Sequence, residues 1–148
     1  MKVHKILWPT DFSGHANQAM DALQSLAEKY HAEVHVLYVI DNPVLHHPEW
    51  YGDIEADHVE KILALQNKKA EKRLGQICKE HLQGCPAHTH HVAVGDPAQE
   101  ILKRVDAEKI DMIVLATRGA KAHFRFGSVA EKVVKNAPVP VVTIPPSR

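Results

Sequence analysis

Apolar residues in this chain fall into five short runs, and between the runs they recur at every third or fourth position. The runs read as strands and the stretches between them as helices. Residues 3–8 are the first strand, ended by Pro9-Thr10-Asp11. Ser13 stands where a helix cap belongs, and Ala16, Ala19, Met20, Leu23, Leu26 and Ala27 mark one face of a helix reaching about Tyr30. Residues 34–40 form a second strand, almost continuously apolar at its end, as expected when both faces are covered. A loop over 41–52 carries Pro43, Pro48 and the pair Trp50-Tyr51. The spacing then predicts a long helix over 54–82, with Val59, Ile62, Leu63, Ala70, Leu74, Ile77, Cys78 and Leu82 as its stripe and Gly84 as its stop.

Residues 88–94 read as a third strand. Asp96, Pro97 and Gln99 announce the next helix as cap, first helical residue and third position past the cap, and the helix ends near Glu108. Residues 111–116 are a fourth strand, 117–126 a loop, and Gly127-Ser128 opens a last helix ending near Asn136. Residues 139–144 close the pattern as a fifth strand before Pro145-Pro146. Strands alternating with helices predict an α/β fold, an open parallel five-stranded sheet with helices on both faces, Rossmann-like, in a single domain over 1–148.

Composition narrows the function. Lys+Arg and Asp+Glu number 18 each, and this balance argues against a nucleic-acid partner, which calls for a basic surface. The apolar run at the N-terminus is too short for a signal peptide and is broken by Pro9 and Asp11. No apolar stretch is long enough to cross a bilayer, so no membrane role and a cytoplasmic location are expected. Cys78 and Cys85 fit neither a zinc nor a redox spacing, and Cys78 reads as a buried thiol.

In open parallel sheets, ligands bind beyond the carboxyl ends of the strands. Two such segments stand out: Pro9-Thr10-Asp11-Phe12-Ser13, and Thr117-Arg118-Gly119 with Gly127-Ser128 seven residues further on. Gly127 permits close backbone approach, Ser128 opens a helix whose amides and dipole favour an anion, and Arg118, Lys121 and Arg125 add positive charge. Asp11 would suit a ribose hydroxyl. A ligand-free account stands beside this. Ser128 and Glu131 have the spacing of a capping box, and Asp11 has the chemistry to bond loop amides. On the residues alone the two accounts are level, since the phosphate-loop and dinucleotide glycine signatures are missing.

A resemblance tips this balance. The opening Lys5-Ile6-Leu7-Trp8-Pro9-Thr10-Asp11-Phe12-Ser13 resembles the start of the universal stress protein family. So do Val94-Gly95-Asp96-Pro97, the strand Asp111 to Ala116, and Gly127-Ser128-Val129-Ala130-Glu131-Lys132-Val133 followed by Ala137-Pro138-Val139-Pro140-Val141. The resemblance implies the strand order 3-2-1-4-5, which brings the ends of the first and fourth strands to one cleft. The family divides into ATP binders and members that bind none. Carried over, adenine and ribose contacts fall on Pro9, Thr10, Asp11 and Val39, and phosphate contacts on Ala116, Thr117, Arg118, Gly119, Gly127, Ser128 and Val129, with Leu115 also in the nucleotide site. Binders carry Gly-x-x-Gly, nine residues, then Gly-Ser/Thr. Here the first glycine is Ala116, and seven residues separate Gly119 from Gly127. ATP or a related adenine nucleotide is the ligand this implies, with an accompanying Mg2+ or Mn2+ left open. The resemblance also implies a homodimer through the last strand, at Val139, Val141, Val142 and Ile144.

Other chemistry finds less support. There are twelve histidines, and His88 and His90 would share one strand face. No third ligand is visible, so exposed histidines rather than a metal site are expected. A phosphoacceptor receiver domain would need an acidic cluster that Asp11 lacks. No catalytic base can be named, so at most slow ATP hydrolysis is expected. The alternative function is a dimeric interaction module that binds no nucleotide.

Overall fold

The computed structural model describes residues 1–14, 18–41, 56–83, 85, 87–117 and 127–145. Trp50, Tyr51, Gly84, Arg118, Gly119, Lys121 and Arg125, singled out above, lie outside them.

The elements run β1 (Lys5–Pro9), α1 (Met20–Tyr30), β2 (Glu33–Ile40), α2 (Ala56–His81), β3 (His88–Val94), α3 (Pro97–Ala107), β4 (Met112–Ala116), α4 (Ser128–Asn136) and β5 (Val141–Ile144). All five strands are parallel, in the order β3-β2-β1-β4-β5. Each crossover returns the chain through a helix, so side chains that alternate along a strand meet two helical layers. Ile6, Trp8, Val34, Val36, Met112 and Val114 pack against Met20, Leu23 and Ala27 of α1 and Leu74 and Cys78 of α2. Leu7, Leu37, Ile113 and Leu115 pack against Ala98, Ile101 and Val105 of α3 and Ala130 and Val133 of α4. Among the described residues, Trp8 is the largest side chain with no exposure. Deleting such a ring costs about 3–5 kcal/mol.

Three boundaries differ from the sequence reading. The helix α1 begins at Met20 with Ala19 as its cap, and residues 15–17, which follow the start foreseen at Ser13, lie outside the described residues. The stripe predicted along α2 is buried at Ala70, Leu74, Cys78 and Leu82, while Ile62 is exposed, because only the second half of the helix lies on the sheet. Strand β5 begins at Val141, after Pro140, so Val139 lies before the strand and packs on the α3–α4 side instead.

Candidate functional site

The strand order places the end of β1 beside the end of β4, and the chain departs from β1 toward β2 on one side and β4 on the other. This reversal is where an open parallel sheet leaves a crevice.

On the β1 side, a tight turn sets the geometry. The Thr10 amide donates to the Leu37 carbonyl at 2.8 Å, carrying the β1–β2 ladder one residue past the strand. The buried Thr10 hydroxyl oxygen accepts the Phe12 amide at 3.0 Å, and the Asp11 carboxylate accepts the Ser13 amide at 2.8 Å. Phe12 itself sits at φ 63, a left-handed conformation that a bulky residue adopts only when held there. Its ring stacks on Tyr38 at 4.3 Å between centroids, and the Arg73 guanidinium lies 4.5 Å from the ring centre. The turn points Asp11 outward, exposed at the head of the sheet. The loop-amide role foreseen for Asp11 is therefore present. Thr10 is committed to building the turn through both its amide and its hydroxyl.

On the β4 side, Thr117 donates its amide to Ile144 at 3.1 Å and accepts the Gly127 amide at 2.8 Å. The second bond ties the stem of the 118–126 loop to the start of α4. The Gly127 amide is thereby engaged in closing the loop. The capping box foreseen at Ser128 and Glu131 is corrected. Gly127, at φ −64 and ψ 155, is itself the N-cap, Ser128 is the first helical residue, and among the described residues no side chain caps the helix. The first helical bond runs from the Glu131 amide to the Gly127 carbonyl. The amides of Ser128, Val129 and Ala130 precede it, as the leading donors of any helix do. Glu131 pairs with Lys135 at 2.8 Å rather than reaching back to the cap.

Between these walls the sheet contributes apolar side chains of one face. Val39 and Val129 are partly buried against the cluster that holds Leu7, Leu37 and Leu115. Thus Val39, Leu115 and Val129 share one face, with Asp11 and Thr117 at the strand ends. Arg118 and Gly119, expected at the same place, lie outside the described residues. A separate hollow of about 190 Å³ opens on the α2 side, lined by Phe12, Arg73, Gln76, Ile77, Glu80 and His81. It is smaller than the roughly 300 Å³ at which small-molecule pockets begin.

The histidine contacts away from the cleft were not legible in sequence. His90 meets Glu71 of α2 at 2.9 Å, whereas His91 points to the other face and meets His35 at 3.0 Å. His35 gave no signal of its own, because its partner is set by the register between β2 and β3.

Comparison with known proteins agrees with this architecture. The universal stress protein family profile matches residues 2–145. Universal stress protein MJ0531 of Methanocaldococcus jannaschii is 32% identical over 143 residues, covering 95% of this chain and 81% of its own. A universal stress protein of Thermus aquaticus is 32% identical over 141 residues, covering 94% and 96% of the two chains. Among solved structures, that of MJ0577 superposes with a TM-score of 0.84 at 26% identity, covering 100% and 99%. At 17% and 19% identity the likeness shows the fold alone, for a universal stress protein in complex with cAMP and for one from Archaeoglobus fulgidus in complex with dAMP. Among the described residues, no helix is long and apolar enough to cross a membrane.

Proposed function

The chain belongs to the universal stress protein family, and from that footing we propose that it is a dimeric stress-regulatory module that binds an adenine nucleotide, ATP first, between the ends of β1 and β4. The observation that carries the reading is the start of α4. A helix opens there on Gly127, with no side-chain cap among the described residues, at the head of the sheet where the strand order reverses. Leading amides with no capping side chain, together with the helix dipole, favour a phosphate. In this reading Ser128 and Val129 supply the donors, joined by Arg118 and Gly119 from the loop. Gly127 contributes the missing Cβ. Its backbone angles suit any residue, so the glycine is explained by close approach rather than by conformation.

The adenine lies against the apolar face at Pro9, Val39 and Leu115, and Asp11 accepts from the ribose. Thr10 acts by holding the turn that presents Asp11. Ala116 and Thr117 form the floor beneath the phosphates. That proteins of this fold hold cAMP and dAMP makes adenine the base to test first. The ligand alters the surface presented to partners, and hydrolysis is slow at most, because no residue stands out as a base among the described ones. The dimer forms through β5, the strand at the edge of the sheet.

The test is direct. Protein purified at high yield, denatured and analysed by chromatography should release adenine nucleotide in a fixed ratio to chain. Nucleotide-free protein that also fails to take up ATP at millimolar concentration would leave the interaction-module reading in its place.

A further inference from the structure

At the other end of the sheet, under the C-terminus of α3, two histidines and a glutamate converge. The β2–β3 register sets His35 against Thr89 and Leu37 against His91, so the two imidazoles lie diagonally on one face. Nδ1 of His35 is 3.0 Å from Nε2 of His91, and the rings are nearly parallel, 5.2 Å apart at 6°. Glu108 follows the end of α3 and brings a carboxylate oxygen to the same point. One ligand atom from each of the three lies within 4.8 Å of the others. His35 is 3% exposed, and His91 and Glu108 are half-buried.

We propose that His35, His91 and Glu108 form a binding site for one divalent transition-metal ion, zinc in the first instance, with a fourth position open to solvent. Ligand atoms around a tetrahedral zinc stand about 3.3 Å apart for bonds near 2.0–2.1 Å, close to the separation of the two nitrogens. Two imidazoles and a carboxylate are donors that suit zinc. On its other side, the buried Nε2 of His35 lies 2.9 Å from Oε1 of Glu33 and pairs with that carboxylate. A proton on Nε2 facing Glu33 leaves the lone pair of Nδ1 aimed at His91, where a shared ion belongs. A carboxylate behind the outer ring nitrogen is the usual support of a metal-bound histidine.

The neighbouring charges are Glu33, Lys5, Arg104 and His90. Arg104 now holds Glu108 at 3.5 Å, a partly exposed pair that contributes little and yields readily to an ion. The site lies four residues before Val39 on β2, about 13 Å along the strand at roughly 3.3 Å per residue. It is therefore independent of the nucleotide reading.

The experiment strips the full chain with a chelator, dialyses it against zinc chloride and counts bound metal by atomic emission. One zinc per chain is expected. Affinity should fall at least about tenfold in His91→Ala and in Glu108→Gln, and roughly 10- to 100-fold in Glu33→Gln through its support of His35. His88→Ala, exposed at the start of β3, should bind as the parent does. Circular dichroism confirms that the variants fold. In the parent itself, zinc should move the ring nitrogen resonances of His35 and His91 and no others to the same extent. No bound zinc in the parent overturns the site. So does uptake unchanged in both His91→Ala and Glu108→Gln, or a resonance change confined to the surface histidines.

Discussion

The Gly127 amide donates to the Thr117 carbonyl at 2.8 Å, so the two stems of the 118–126 loop are joined before the loop begins. Thr117 is in turn bonded to Ile144, and Gly127 to the first turn of α4. The start of α4 is therefore positioned by the sheet and not by the length of the loop. This bears on the spacer, which at seven residues is two shorter than the nine that the family resemblance implies for ATP binders. Adding two glycines between Ala122 and His123 lengthens a closed loop of nine residues to eleven, at an entropic cost of about 0.2 kcal/mol. Nucleotide affinity and thermal midpoint should both stay close to those of the parent. A large gain in affinity, read by titration, would mean that loop length and not the stem sets the site.

The ladder between β4 and β5 leaves a defined edge. Ile113 and Thr117 donate to the carbonyls of Pro140 and Ile144. Because a parallel strand turns successive peptide groups to opposite sides, Val141 and Thr143 direct theirs to the free edge. Thr143→Pro removes one outward donor and spares the bonds to β4, as edge strands tolerate. Sedimentation should show dimer converted to monomer with the far-ultraviolet spectrum kept. A dimer of unchanged strength would place the interface elsewhere.

Burial pushes the thiols of both Cys78 and Cys85 above the ordinary value of 9.0, with Cys85 adding to this at Cys78 and Glu28 at Cys85. A thiol that holds its proton more tightly when folded stabilises the fold below pH 9.0, and that contribution is lost as pH rises through the folded value. The thermal midpoint should fall in the alkaline range, less steeply in Cys78→Ala once its own lower baseline is subtracted. Native protein should also react slowly with iodoacetamide at neutral pH, Cys78 more slowly than Cys85, since Cys78 is 2% exposed. Fast labelling of Cys78 would contradict the packing of α2 on the sheet.

What could be read in the sequence follows physical range. Strand β3 and the start of α3 were legible because their signals are local. Asp96 does cap α3, accepting the Gln99 amide at 3.0 Å, with Pro97 first in the helix. The Ser128–Glu131 spacing misled by one residue, because a Gly at the cap leaves no side chain to read. Val139 was read into β5 on its hydrophobicity, although Pro140 follows and the strand starts beyond it. Strand order was legible only through family resemblance, since residue patterns fix elements and not their neighbours. His35, His91 and Glu108 come from three elements, and nothing short of register and packing brings them together.

The central claim is that the start of α4 receives the phosphates of an adenine nucleotide. Calorimetric titration of Mg-ATP into the nucleotide-free parent and into Gly127→Val tests it most directly. Valine fits the extended cap backbone and should cost about 1 kcal/mol or less of stability, while its side chain fills the approach to the amides. The account predicts one ATP per chain for the parent and at least about tenfold weaker binding for a folded Gly127→Val. Equal binding by both proteins, or heat from neither at millimolar ATP, would contradict it.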